Sequence, residues 1–252
     1  MRRALVAANW KMQGNLGELQ AYLDALQVAD SVEVVLLPPA VYLSAAVALA
    51  PTGLACGVQD VGTAASGAHT GEIAAEMVRE LGGAWAVVGH SERRLDQQEA
   101  DDLVATKAAA ALRGGLSPLI CVGETLDERQ AGHEQAVVAR QLDAVLDRID
   151  CAALSGAAIG YEPVWAIGTG ETATPDQAQE MHEFIRSLLA AEDRQAAQQI
   201  RIVYGGSVKP DNAAELFAQP DIDGGLVGGA SLHAEDFSAI IAAAEQVMSG
   251  KD

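Results

Sequence analysis

The stretch Gly114-Gly115-Leu116-Ser117-Pro118-Leu119-Ile120-Cys121-Val122 joins the end of a predicted helix to a predicted strand. A helical pattern runs from about Gln98 to Arg113, and the two glycines end it because glycine readily adopts the left-handed conformation of a helix stop. Leu116–Val122 is then almost continuously apolar, which is typical of a strand buried on both faces of a parallel sheet. The sequence therefore predicts a strand that helices cover.

Runs of the same kind recur along the whole chain. The other seven are Leu5–Asn9, Val32–Leu37, Leu54–Gln59, Ala84–Gly89, Ala157–Tyr161, Ile200–Tyr204 and Ile222–Val227. Helical patterns lie between them, such as the apolar face from Val138 to Ile149 and the segment from Thr174-Pro175 to about Glu192. Eight units in 252 residues give about 31 residues each, the size of one strand and one helix.

We therefore expect a single α/β domain over residues 1–252, an eight-stranded parallel (β/α)8 barrel. A doubly wound open sheet is the alternative arrangement of the same units. In the barrel, functional side chains should directly follow the strands, at their carboxyl ends.

Charge excludes several classes of partner. The chain has 35 acidic and 16 basic residues, a net charge of −19, which opposes binding to nucleic acid or to anionic membranes. The lysines are Lys11, Lys107, Lys209 and Lys251. An anionic ligand must therefore be held by few cations, together with backbone N–H groups.

The cysteines and histidines show no metal-ligand spacing. Cys56, Cys121 and Cys151 are widely separated, which argues against a disulfide framework or a zinc site. We expect the isolated histidines to be surface or loop residues, and no metal to be bound; they are His69, His133, His182 and His233. No apolar run has the length of a signal-peptide core or a membrane span, so we expect a cytoplasmic protein.

Glu162 directly follows the predicted strand Ala157–Tyr161 and precedes a proline, which favours an extended backbone at the strand end. Its carboxylate should point into the mouth of the barrel. The segment Val164–Gly170 then has an apolar middle and two glycines, which suits a lid that excludes water, or else an ordinary surface loop. Gly168–Ala173 also matches the loose dinucleotide fingerprint, but Thr174-Pro175 starts the helix too late for that motif.

Two other strand ends carry chemistry. His90 follows the run Ala84–Gly89, and a helix beginning at Ser91 would place unsatisfied N–H groups beside the imidazole and disfavour its protonation. The sequence around His90 lacks the second glycine of a nucleophile elbow, because Arg93 stands there. Asn9 and Lys11 end the first strand, where Lys11 can supply a fixed cation. Each of these residues could alternatively be structural or solvated.

Glycines follow the last two strands, in Gly205-Gly206-Ser207 and Gly228-Gly229. They supply bare backbone N–H groups where barrels of this kind bind phosphate, after strands seven and eight. They do not have the spacing of a nucleotide P-loop.

Taken in order, these motifs resemble the triosephosphate isomerase family over essentially the whole chain. The resemblance rests on Asn9-Trp10-Lys11, the segment of His90, Tyr161–Gly170, and Tyr204–Val208. The family is the namesake of the TIM barrel, and it implies interconversion of dihydroxyacetone phosphate and glyceraldehyde 3-phosphate through an enediol, without a cofactor, in glycolysis and gluconeogenesis. Asp60 stands where asparagine is frequent in the family.

The resemblance also implies roles for individual residues. Glu162 would be the base, neutral His90 and Lys11 would polarise the carbonyl, and Asn9 would contact the same oxygen. The N–H groups of four residues would hold the phosphate; they are Gly168, Ser207, Gly228 and Gly229.

The loop Gly62–Glu72 is long for a connection from strand to helix and should project from the barrel. The resemblance implies that its tip enters a second subunit beside Asn9 and Lys11, giving a homodimer. Two alternatives to the isomerase remain, another cofactor-free barrel enzyme acting on sugar phosphates and a non-catalytic phosphate-binding descendant.

Overall fold

Eight short strands follow the predicted apolar runs. The computed structural model describes residues 2–167 and 172–250. The strands are β1 Leu5–Asn9, β2 Glu33–Leu37, β3 Leu54–Val58, β4 Trp85–Val88, β5 Ser117–Val122, β6 Ala158–Tyr161, β7 Arg201–Tyr204 and β8 Gly224–Val227. Each strand ends within one residue of its predicted carboxyl end and begins within two residues of its predicted amino end.

The strands form a closed barrel in which every neighbouring pair is parallel. Closure is made by β1, which pairs with β2 on one side, as in Ala8 with Leu36, and with β8 on the other, as in Ala8 with Val227. The predicted (β/α)8 barrel is therefore confirmed. The open sheet, which would leave two unpaired edges, is wrong.

Eleven α-helices surround the barrel in the described residues. They are α1 Leu16–Ala25, α2 Leu43–Leu49, α3 Ala75–Glu80, α4 Ser91–Asp96, α5 Asp101–Arg113, α6 Leu126–Gln130, α7 Glu134–Leu146, α8 Pro175–Glu192, α9 Arg194–Ala197, α10 Ala213–Phe217 and α11 Ala234–Ser249. The predicted start of α8 is confirmed by a capping box, in which Thr174 and Gln177 bond to each other's backbone. The helix α5 begins three residues later than predicted because Gln98 has a positive φ of 57°.

Apolar side chains fill both sides of the barrel wall. Leu5 and Ala7 belong to the cluster inside the barrel, whereas Val6 and Ala8 pack outward among the helices. Both faces of each strand are thereby removed from water, which is the physical reason that the strands read as continuous apolar runs. Polar side chains of the barrel are therefore expected at the ends of the strands.

The prediction that His182 is a surface or loop residue is wrong. His182 lies in α8 and is fully buried, with its ring edge-on to Tyr161 and its Nδ1 3.2 Å from the carbonyl oxygen of Asp221. Burial lowers the pKa of His182 to about 4, despite that polar contact. It is a neutral core residue rather than a surface residue, because position 182 is on the face of α8 that covers the barrel.

The three cysteines are buried free thiols. Within the described residues, no helix is both long and apolar enough to cross a bilayer.

Candidate active site

A cavity of about 790 Å³ opens at the carboxyl ends of the strands. It brings together seven of the predicted site residues, which are Asn9, Lys11, His90, Glu162, Ser207, Gly228 and Gly229. The eighth, Gly168, lies outside the described residues, as does most of the glycine-containing part of the predicted lid. Side chains from β1, β4 and β6 therefore meet glycine-rich loops from β7 and β8 in one space.

Two glycines make room for Glu162 at the end of β6. A Cβ atom at Gly123 would lie 1.8 Å from the Glu162 carbonyl oxygen, and one at Gly205 would lie 2.8 Å from the Glu162 Cγ. The side chain is only 2% exposed, and its Oε2 accepts a 2.8 Å hydrogen bond from the backbone N–H of Ser91. Its Oε1 is buried without a hydrogen-bond partner among the described residues. The backbone thus anchors Oε2, whereas Oε1 is left to the side chains and ligands of the cavity.

His90 contacts Glu162 Oε1 with its Nε2 at 3.1 Å, although the two atoms do not form a well-aligned hydrogen bond. His90 is the N-cap residue of α4, and its Nδ1 accepts a hydrogen bond from the backbone N–H of Glu92 at 3.2 Å. A nitrogen that accepts a hydrogen bond carries no proton, so the single ring proton lies on Nε2. The start of α4 at Ser91 therefore fixes a neutral imidazole with its N–H in the cavity.

The backbone of Lys11 is held in an uncommon conformation, with a positive φ of 53°. Its N–H donates to Asn9 Oδ1 at 3.0 Å, and its carbonyl accepts from Gln59 Nε2 at 2.8 Å. Gln59 also donates to the carbonyl of Leu37, which joins the loop after β1 to β2 and β3. The resulting orientation brings Lys11 Nζ to the carboxylate of Glu92, at 2.5 Å. Tertiary hydrogen bonds compensate for the backbone strain at Lys11.

The opposite end of the cavity is built from backbone. Gly229 begins a short 3-10 turn, Gly229–Leu232, which Trp10 fixes to β1 by donating from Nε1 to the carbonyl of Ser231 at 3.1 Å. Ser207 donates from Oγ to the carbonyl of Ala166, at 3.1 Å. Among the turn and loop hydrogen bonds of the described residues, none is donated by the N–H of Ser207, Gly228 or Gly229. These donors are available to an anion.

The sequence model of the family described as Triosephosphate isomerase matches residues 4–244. The chain belongs to the triosephosphate isomerase family. It is similar to the triosephosphate isomerase of Xanthomonas axonopodis pv. citri (strain 306), with 52% identity over 248 residues, 97% of this chain and 99% of the relative. It is also similar to the triosephosphate isomerase of Stenotrophomonas maltophilia (strain K279a), with 54% identity over 248 residues and the same coverage.

In this member of the triosephosphate isomerase family, Glu92 has a role at the site that the sequence did not indicate. Its Oε1 pairs with Lys11, its Oε2 lies 3.6 Å from His90 Nδ1, and its backbone N–H fixes the tautomer of His90. One residue thus orients two predicted site residues. Because Glu92 does not directly follow a strand, the strand-end criterion could not find it.

Glu124 was also missed, although it lies near the end of β5 and the same criterion could have found it. It is fully buried, and its Oε1 accepts hydrogen bonds from Tyr161 Oη at 3.1 Å and Trp165 Nε1 at 2.8 Å. Arg129 completes the charge balance at 3.2 Å. Glu124 therefore ties down the chain on both sides of Glu162.

The Cys121 thiol near Glu162 adds no charge to the site. Burial, reinforced by the nearby Glu162 carboxylate, raises the pKa of the Cys121 thiol, which stays neutral. Within residues 2–167 and 172–250, no group of His, Cys, Asp and Glu side chains is arranged to hold a metal ion. Glu162, His90 and Lys11 supply groups that suit proton transfer and electrostatic stabilisation.

Proposed function

We propose that the chain interconverts dihydroxyacetone phosphate and glyceraldehyde 3-phosphate, with Glu162 moving the proton between adjacent carbons. The observation that carries this assignment is the buried Glu162 carboxylate, whose Oε2 is anchored by Ser91 while Oε1 lies beside His90 in a cavity that Glu162 lines. A carboxylate that is positioned in this way can accept a proton from the carbon of a bound substrate. The family assigns the reaction to glycolysis and gluconeogenesis.

The proton must leave a carbon that is only weakly acidic, so the negative charge that develops on oxygen needs stabilisation. His90 would donate its Nε2–H to that oxygen, and Lys11 would supply a positive charge near it. Asn9 would contact the same oxygen, in addition to orienting Lys11. Glu162 would take the proton from one carbon to give the enediolate, then return it to the neighbouring carbon. No atom is gained or lost, and no cofactor is required.

The phosphate would lie at the glycine end of the cavity, held by the N–H groups of Ser207, Gly228 and Gly229. The proximity of Gly228 to Lys11 supports this placement, since a Cβ at Gly228 would lie 3.6 Å from Lys11 Cε. Gly168 is the fourth proposed donor, and it lies outside the described residues. A phosphate at this end would leave the carbon atoms beside Glu162 and His90.

The alternatives differ in what they require. Another enzyme acting on sugar phosphates would share the glycine loops but would not need Asn9, Lys11, His90 and Glu162 together, and the family membership goes against it. A non-catalytic descendant would not need a buried carboxylate held beside an imidazole in the cavity.

We also propose a homodimer, formed through the loop Gly62–Glu72. Three exposed apolar side chains lie in the segments after β1, β2 and β4, with Met12 95%, Val41 82% and Leu95 57% exposed. Met12 also lines a cavity of about 260 Å³, together with Asn9, Lys11 and Gln59, among others. The tip of the same loop from a second copy would fill this cavity and cover the apolar surface.

The proposal extends to the domain and its compartment. One closed barrel includes strands from residues 5 to 227, and α11 covers it, which supports a single domain over residues 1–252. Buried free thiols favour the reducing cytoplasm. The protein would use small triose phosphates as its ligands, and its negative charge disfavours nucleic acid and membranes.

The assay that tests this function is isomerisation by the purified protein in the presence of a chelator. In deuterated solvent, product should form with deuterium at the carbon that received the proton, because the carboxyl proton on Glu162 exchanges with water. Absence of isomerisation, or isomerisation that needs an added metal, would contradict the proposal.

A further inference from the structure

The active-site cavity extends beyond the proposed phosphate donors to a charged rim. Lys209, Asp211, His233 and Asp236 line this part of the cavity. Lys209 and Asp211 belong to the loop between β7 and α10, whereas His233 and Asp236 lie at the start of α11. The rim therefore flanks both of the glycine loops that would hold phosphate.

His233 lies at the junction of the glycine loop and α11. Its N–H bonds to the carbonyl of Ala230, in the turn Gly229–Leu232, and α11 begins at the next residue. The side chain makes no capping hydrogen bond to α11 and forms no ion pair among the described residues. An exposed, unpaired imidazole thus lines the same cavity as Gly228 and Gly229.

Cations in this cavity are scarce. Lys11 is paired with Glu92, and Lys107 lies elsewhere in a buried cluster with Asp60 and Glu99. Lys209 forms no ion pair in the described part of the chain, and it is exposed on the rim. In a chain with a net charge of −19, one additional positive charge at this position changes the local potential appreciably.

We propose that His233 is a titratable affinity determinant for the dianionic end of the substrate, acting with the fixed charge of Lys209. This inference rests on the phosphate position proposed above. Protonated His233 would attract a dianion held by the N–H groups of Gly228 and Gly229, and neutral His233 would not. Affinity for the anion should therefore rise as the pH falls.

The charged groups around His233 determine how strongly its protonation changes the affinity for the anion. Glu235 and Asp236 share its helix, whereas Asp211 and Lys209, from the loop after β7, and Lys11, after β1, line the same cavity. Among ordinary side chains, histidine changes its charge between about pH 8 and 5, whereas carboxylates and lysine titrate outside that range. The difference in charge at the rim over that range therefore comes from His233.

The effect should appear in binding rather than in turnover. The phosphate does not react, so attraction to it is equal in the ground state and the transition state. Loss of the His233 charge should raise KM at low pH and leave kcat nearly unchanged. A purely structural role for His233 would not give a pH-dependent change in KM.

The test measures the inhibition constant of sulfate, which stays dianionic throughout, at pH 8 and pH 5.5 in low salt. The wild type is compared with His233→Gln, which cannot acquire the charge, and His233→Lys, which carries it at both pH values. His133→Gln is the matched control, because His133 is exposed at the start of α7 and does not line this cavity. His90 and Glu162 are the same in all four proteins, so their contributions cancel.

Between pH 8 and pH 5.5, we expect the affinity for sulfate to increase about three- to tenfold more in the wild type and in His133→Gln than in His233→Gln. His233→Lys should bind sulfate tightly at both pH values. Equal pH profiles for the wild type and His233→Gln would overturn the inference while leaving the phosphate site in place. Sulfate that does not compete with the triose phosphate would overturn the phosphate site itself, and the inference with it.

Discussion

Gly205 sets the position of Glu162 from the neighbouring strand end. Gly205→Ala would place a Cβ 2.8 Å from the Glu162 Cγ and 3.1 Å from the Tyr161 carbonyl oxygen, so the base must shift. A displacement of about 1 Å can cost about 10²-fold in rate, and we expect kcat to fall by about that factor with a much smaller change in KM. Gly156→Ala is the control, since a Cβ there meets nothing within 4 Å. An unchanged kcat in Gly205→Ala would mean that this contact does not position the base.

Lys11 is the cation closest to the proposed reacting oxygen, and Lys11→Met tests its role. We expect kcat to fall by about 10²-fold or more, because charge grows on the oxygen in the transition state, and KM to rise as well. Lys209→Met removes a cation from the rim of the same cavity and should raise KM with little change in kcat. If Lys11→Met also changed KM alone, Lys11 would bind phosphate rather than stabilise the enediolate.

At the scale of elements, a buried charge cluster joins α5 to the loops after β3 and β4. Lys107 Nζ contacts Asp60 Oδ2 and Glu99 Oε1, both at 2.6 Å, and Arg93 contacts the same two carboxylates. Burial raises the pKa of Asp60, and its hydrogen bond and attraction to Lys107 oppose that shift. The cluster is thus balanced in charge but sensitive to the loss of one partner.

Lys107→Met should destabilise the fold by about 1.5–3 kcal/mol at neutral pH, because the buried Glu99 and the partly buried Asp60 lose one of their two cations and keep only Arg93. Without Lys107, the pKa of Asp60 in the folded state would rise further above its value in the unfolded state. The folded state would then bind more protons than the unfolded state. The stability lost should therefore be recovered as the pH falls toward the range in which the carboxyls protonate.

Urea unfolding at several pH values measures this effect, with the exposed Lys209→Met as the control. The double variant Lys107→Met/Asp60→Asn should recover part of the loss at neutral pH. A loss that does not depend on pH would show that packing of the lysine stem, not charge, is what Lys107 contributes.

The elements were largely predictable from the sequence, and their contacts were not. All eight strands could be located because strands buried on both faces require apolar runs such as Leu5–Asn9. The ends of those runs also identified Asn9, His90 and Glu162 as site candidates. By contrast, the pairing of Lys11 with Glu92, 81 residues apart, depends on how β1 and α4 meet in space. The burial of His182 likewise depends on which face of α8 covers the barrel.

At the scale of the whole molecule, the proposed dimer links assembly to activity. Because the loop Gly62–Glu72 would brace Asn9 and Lys11 of its neighbour, turnover per chain should fall on dilution below the dissociation constant. Met12→Glu should shift that dependence to higher protein concentration, since it puts a charge into the covered apolar surface. Leu126→Glu is the control, because Leu126 is 49% exposed but follows β5, away from the loops after β1 to β4.

Sedimentation and activity should be measured on the same samples. We expect the sedimentation coefficient and the turnover per chain to fall together. A monomer with undiminished turnover would contradict the coupling of assembly to activity.

The central claim is that Glu162 carries the proton between the two carbons, and one measurement tests it most directly. It follows isomerisation and incorporation of solvent deuterium together in Glu162→Gln, with Glu192→Gln at the exposed end of α8 as the control. We predict that Glu162→Gln binds sulfate normally, loses about 10²–10⁴-fold in kcat, and loses deuterium incorporation in proportion. Near-normal isomerisation with solvent deuterium still entering the product would contradict the account, because another group would then be the base.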